Sequence, residues 1–190
     1  MHNGGYFFSL SSFSFSIPFA DLDLELGPPL PLLLGAGSVV LYAVLLLIVW
    51  PAALANSNQK VVEKWAKLHH AALCFYSVFC LLATLLDVWK NGELENLDLF
   101  FCQPVSPFIR LLSLSFTLSK IWEWGDTMVL IARGDSLQKI GTLHSYHHAT
   151  TFCLFLLVCN FPATEKCGLL LNGGVHALMY YHYAFRLPKW

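Results

Sequence analysis

The sequence predicts an all-α integral membrane protein with five transmembrane helices. Three observations carry this expectation. Apolar residues make up 56% of the 190 residues and charged residues only 12%, against about 25% charged in an ordinary soluble domain. The apolar residues gather in runs close to the ~20 residues that a bilayer core requires. Lys and Arg gather on alternate connections between those runs, as the positive-inside bias demands.

The elements follow in chain order. Residues 1–29 are rich in Ser and Phe, then acidic at Asp21, Asp23 and Glu25, then broken by Pro28 and Pro29; they read as a poorly ordered tail. Residues 30–190 read as one transmembrane domain. The first span, 30–50, is uncharged and ends at Pro51. The second, 68–88, is interrupted near its end by Asp87. The third, fourth and fifth are expected at 107–131, 142–161 and 167–185. The connections 51–67, 132–141 and 186–190 are net positive, whereas the tail and 90–106 are net negative. This places the N-terminus outside or in a lumen, and the 132–141 turn and the C-terminus in the cytoplasm. Arg110 dissents, at the lumenal end of the third span.

Composition also excludes. A net charge of −1 offers no basic field, so no nucleic-acid partner is expected. The six cysteines form no CxxC pair and no zinc spacing, and those in apolar runs read as small apolar filler. Residues 1–20 hold no Lys or Arg, so the basic region of a secretory signal is missing and the first apolar run must serve for targeting.

Chemistry concentrates between Lys120 and Tyr183. Lys120, Glu123, Asp126 and Thr127 occupy an arc of about 120° on a helix turning ~100° per residue. Lys120 and Glu123 can neutralise each other as an internal pair, but that leaves Asp126 alone at membrane depth, where ionisable groups usually serve function. His144, His147 and His148 share one face of the next span, as metal ligands or as nucleophile and base. On the fifth span, Asn172 and His176 need polar partners in a dry interior. Met179, Tyr180 and Tyr183 follow His176 at helical spacing, as an aromatic packing stripe or as part of the site. His69 and His70 read as ordinary polar residues at a membrane boundary.

The order KxxExxDT, HxxHH, NxxxHxxMY resembles the ELO family of very-long-chain fatty acid elongases. It stands here as Lys120, Glu123, Asp126, Thr127; then His144, His147, His148; then Asn172, His176, Met179, Tyr180. His69, Leu73, Ser77 and the run from Cys102 to Val105 add supporting matches. His70 stands where the family often has Asn, His182 replaces a tyrosine, and Lys139 precedes the histidine box where substrate subgroups differ. The resemblance implies a seven-helix fold with six helices closed around an acyl tunnel. This chain offers five spans and stops where the sixth would begin, so it reads as a fragment or a truncated member.

The resemblance further implies a multi-pass protein of the endoplasmic reticulum membrane that condenses long-chain acyl-CoA with malonyl-CoA. The products are 3-ketoacyl-CoA, CO2 and CoA, and neither metal nor cofactor is needed. His147 is then expected as nucleophile, oriented by His144 and His148, with His176 polarising the reacting carbonyl and Asn172 orienting His176. Asp126 and Glu123 would hold the histidines and Lys120 balance their charge. Thr127, Met179 and Tyr180 would contact substrate. Partners would be the two CoA esters, the bilayer, and a second copy or other enzymes of the elongation cycle. Cys102 would face the lumen, where the resemblance leaves open a disulfide with a cysteine beyond residue 190. Two alternatives stand beside this reading. A di-iron desaturase or hydroxylase also uses HxxHH but needs several such boxes, and only one is present. An inactive partner of a full-length homologue would use Gly35, Gly37, Gly173 and Gly174 as contact points.

Overall fold

The structure is a computed structural model that describes residues 15–19, 22–26, 29–102, 104–158 and 164–185. It is an all-α membrane protein preceded by a short antiparallel ribbon. Strands β1 (Phe15–Phe19) and β2 (Leu22–Leu26) pair with Phe15 opposite Leu26. The ribbon lies within the segment read as a tail. Its second strand, Leu-Asp-Leu-Glu-Leu, alternates with the period of two that extended chains favour.

The first helix runs as α1 (Pro29–Val44), a π-helical stretch (Leu45–Val49) and α2 (Trp50–Leu54). Pro51 does not end it. Proline lacks the N–H that would bond back to the preceding turn, and the helix widens just before it, with Trp50 N–H bonding Leu45 O. Helix α3 (Gln59–Lys90) starts nine residues before the expected span, because Asn58 caps it by accepting from Lys60 N–H at 3.0 Å. Its 32 residues rise about 48 Å, more than the ~30 Å of a bilayer core.

Polar connections hold α4 (Leu97–Cys102) and α7 (Leu137–Ile140). The third expected span divides into α5 (Pro107–Trp122) and α6 (Trp124–Ala132) at Glu123. There Asp126 N–H bonds Glu123 O three residues back, tightening the turn. Helix α8 covers Thr142–Val158, and the last helix runs as α9 (Thr164–Cys167), a π-helical stretch (Gly168–Asn172) and α10 (Gly173–Phe185). Residues 159–161 and 186–190 of the expected spans and tail lie outside the described residues.

Among the described residues, two helices, Leu30–Leu54 and Gln59–Lys90, are long and apolar enough to cross a membrane. The packing has the polarity of a membrane bundle. Helix α3 turns Ala66, His70, Leu73, Ser77, Cys80, Thr84 and Val88 inward at helical spacing, while Phe75, Phe79, Leu82, Leu86 and Trp89 face outward. Helix α10 lies along α3, and α1 along α8. At Gly35 in α1 an added Cβ would stand 2.5 Å from Cys153 Sγ of α8. The absent side chain lets the two helices touch, so Gly35 serves this chain's own packing.

One end of the bundle is apolar inside, with Cys80, Ile109, Leu112, Phe116, Phe155 and Leu169 clustered together. Buried ion pairs close it. Lys166 Nζ lies 2.7 Å from Glu93 Oε2, and Arg110 pairs with Glu165. The cation that dissents from the charge bias thus has a carboxylate partner contributed by α9. Burial pushes the Glu165 carboxyl up to about 7, against the opposing pull of Arg110. Ser106 caps α5 and also donates to Asp87 at 3.0 Å, which ties the 90–106 connection to the end of α3. Cys102 is exposed, with its thiol free.

Candidate active site

The side chains of the arc from Lys120 to Thr127 meet different partners, because the break at Glu123 fans them apart. Lys120 is fully buried, and its Nζ donates to Glu123 Oε1 at 2.6 Å and to Asn172 Oδ1 at 2.8 Å. The same Glu123 oxygen lies 3.2 Å from His176 Nδ1. The internal ion pair therefore exists, and it is also joined to the fifth span. Asn172 bonds Lys120, while Glu123 is the group beside His176. This corrects the expectation that Asn172 orients that histidine. The residues 172 and 176 are one helical turn apart and direct their polar atoms to two different members of the ion pair.

Asp126 does not contact the histidine box directly. Its Oδ1 lies 3.1 Å from His69 Nε2 and 3.3 Å from His70 Nε2, and its Oδ2 accepts from Tyr180 Oη at 2.7 Å. His69 and His70 are both buried, which overturns their reading as ordinary boundary residues. They lie about three turns into α3, on the face that packs against α6 and α10. Two adjacent imidazoles reach one oxygen because α6 comes very close at Gly125, where an added Cβ would stand 2.6 Å from His69 Cε1. Trp65 stacks on the other side of His69, with ring centroids 4.7 Å apart.

Thr127 is fully buried, with its hydroxyl 2.8 Å from Tyr42 Oη and 2.9 Å from His144 Nε2. The box histidines crowd together on α8. The ring centroids of His144 and His148 are 4.4 Å apart, and those of His147 and His148 are 5.3 Å apart. Trp124 Nε1 donates to the backbone oxygen of His148 at 2.9 Å. His148 is buried, whereas His147 is half-buried and stands 6.2 Å, ring to ring, from His176 across the gap between α8 and α10. Glu123 Oε2 and His148 Nδ1 are buried with no hydrogen-bond partner among the described residues. Met179 is partly buried against Leu73, Cys74 and Tyr180. Tyr183 is exposed and lies beside the His70 ring.

The sequence reading missed Tyr42, Trp65, Trp124 and Gly125, and gave too little weight to His69 and His70. The signal for the pair was present, since Ala66, His69, His70 and Leu73 fall on one helical face. A mostly apolar cavity of about 290 Å³ opens by the α2–α3 turn and is lined partly by Val61, Val62, Trp65, Met128 and Val129. It contains none of the expected site residues. Among the described residues, no three His, Cys, Asp or Glu side chains stand in metal-holding geometry.

Fold and site define an all-α membrane protein whose helices enclose a buried cluster of histidines, two carboxylates and one lysine. Residues 32–188 match the ELO family, described as the GNS1/SUR4 family. The mouse protein named very long chain fatty acid elongase 5 is 32% identical over 149 residues, covering 73% of this chain and 48% of that protein. Its Xenopus laevis namesake is 29% identical over 180 residues, covering 85% and 59%. Fatty acid elongase A of Dictyostelium discoideum is 28% identical over 132 residues, covering 67% and 47%. No solved structure matches. The chain belongs to the ELO family, and it spans about half the length of the curated relatives it matches.

Proposed function

We propose that the cluster is the condensation site of fatty acid elongation, joining a long-chain acyl-CoA to malonyl-CoA. The supporting observation is the facing of His147 and His176 across 6.2 Å, with the Lys120–Glu123 pair behind His176. A neutral His147 imidazole attacks the acyl thioester carbonyl. The new N–C bond forms as the C–S bond breaks, and CoA leaves with the imidazole proton. Malonyl-CoA then loses CO2, and its carbanion attacks the acyl carbon. The C–N bond breaks as the 3-ketoacyl-CoA departs, and the His147 nitrogen takes up a proton from water, which regenerates neutral imidazole.

Each neighbour has a role in this reading. Glu123, close to His176 Nδ1, favours the tautomer with its proton there and leaves Nε2 to take or give a proton. Lys120 compensates the Glu123 charge in a dry interior. His147 is more accessible than His148, as a nucleophile that must meet substrate needs to be. The names of the relatives support the same substrate class. Both CoA esters are polar at one end, so the reading places the histidine end of the bundle at the cytoplasmic face of the endoplasmic reticulum membrane. It also places the five helices across that membrane, with the N-terminus in the lumen.

The test uses the full chain reconstituted in lipid with a long-chain acyl-CoA alone. An acyl adduct on the His147 peptide by mass spectrometry is the expected result, together with 3-ketoacyl-CoA once malonyl-CoA is added. His147→Ala should abolish both while leaving expression normal. Condensation retained by that variant would sink the nucleophile assignment.

A further inference from the structure

A second polar line reaches the histidine box from a helix that carries none of the motifs. Tyr42, on α1, is 1% exposed. Its ring packs against Trp124 at 5.3 Å and stacks over His148 at 6.4 Å, with an interplanar angle of 23°. Its hydroxyl meets Thr127 Oγ1, which in turn meets His144 Nε2.

The proton count along this line is constrained. A buried phenol has one proton to donate and needs an acceptor for it. Thr127 is the hydrogen-bond partner of the Tyr42 hydroxyl among the described residues; either oxygen can donate, and the polarity that leaves no buried phenol proton unmet has Tyr42 as the donor. In that polarity the Thr127 oxygen accepts from Tyr42 and sends its own single proton onward to His144 Nε2. A nitrogen that accepts carries no proton, so neutral His144 holds its proton on Nδ1.

We infer that Tyr42 is a positioning residue, which acts through Thr127 to hold His144 as the Nδ1–H tautomer while its ring supports His148. His144 and His148 flank His147 on the same helix, so the two contacts together set the face that His147 presents. The catalytic consequence rests on the condensation reading; the tautomer does not. A residue on the first helix thereby controls a histidine that lies 102 positions later in the chain.

The experiment labels the histidines of the full chain with ¹⁵N and reads the two ring nitrogens of His144 by NMR, assigned through His144→Gln. One bare and one protonated nitrogen are expected, with the proton on Nδ1. Tyr42→Phe keeps the ring contacts but removes the donor, and should collapse the pattern toward that of an imidazole exchanging between tautomers. Thr127→Val should do the same, and Thr127→Ser should restore it. Adding Tyr42→Phe to Thr127→Val should change nothing further. The Trp124 indole N–H signal, held by its bond to His148 O, reports that each variant keeps its fold. In the condensation assay Tyr42→Phe should lower kcat about five- to tenfold with KM unchanged, the effect of one hydrogen bond. An unshifted His144 pattern in Tyr42→Phe, or a parent protonated on Nε2, overturns the inference. A parent without condensation activity that still shows the tautomer shift upholds it, and counts against the proposed function alone.

Discussion

Gly125→Ala tests the closest approach in the site. The new Cβ would stand 2.6 Å from His69 Cε1, 2.9 Å from its Nε2 and 3.0 Å from Trp65 Cη2. Carbon atoms in good contact sit about 3.5–4.0 Å apart, so the imidazole must move about 1 Å. It has little room to do so, because Trp65 stacks against one face and Asp126 holds Nε2 at 3.1 Å. Forcing a methyl into a packed core costs about 1–3 kcal/mol. Losing the buried hydrogen bond to a carboxylate adds about 1.5–3 kcal/mol. The better helix propensity of alanine returns about 1 kcal/mol. The net destabilisation lies around 3 kcal/mol, which is roughly 6–12 °C in unfolding temperature for a chain of this size.

Thermal unfolding in detergent micelles, followed by tryptophan fluorescence, measures it. Trp65 supplies a local signal because it stacks on the ring that must move. Gly174→Ala is the matched control, since nothing lies within 4 Å of a Cβ there, and it should unfold at or above the parent temperature. If Gly125→Ala unfolds no earlier than the parent, α6 does not approach α3 as closely as described, and the account of His69 and His70 on Asp126 fails with it.

Two further predictions concern buried charge. Lys120→Met should destabilise by about 3–5 kcal/mol in chemical unfolding, because it strands Glu123 without its cation. Adding Glu123→Gln should recover much of that loss, and a double variant no better than the single one would show that the charge is not the cause. Glu165 makes stability depend on pH. Its folded value of about 7 stands above the ordinary 4.5, so between those values the folded chain holds a proton that the unfolded chain has released. The associated stability is fully present below about pH 4.5 and is lost as pH rises through about 7, amounting to at most about 3 kcal/mol. Unfolding temperatures from pH 4.5 to 8 should fall along this window in the parent, and Glu165→Gln should flatten the slope.

The chain's order along the sequence was legible wherever helical geometry alone decides neighbours. Lys120 and Glu123 are three residues apart, and they do pair. His144, His147 and His148 cluster as i, i+3, i+4 spacing demands. The long apolar runs announced helices, since uninterrupted apolar sequence of that length has few other stable forms. The alternation in Leu22–Leu26 was equally local. The acidic residues and flanking prolines around it mask that signal.

The all-α class, local charge pairs and family membership were thus within reach of the sequence itself, because each depends on residues a turn or two apart or on an ordered string of motifs. Tertiary structure alone decided which helix faces which. It brought His69 and His70 to Asp126 across 57 and 56 positions, turned Lys120 toward Asn172, and set Tyr42 against Thr127. Those pairings depend on the rotation of each helix about its axis. That rotation is set by the break at Glu123, the missing side chains at Gly35 and Gly125, and the sum of many side-chain contacts. No single stretch of chain contains that sum, so only the packed bundle shows it.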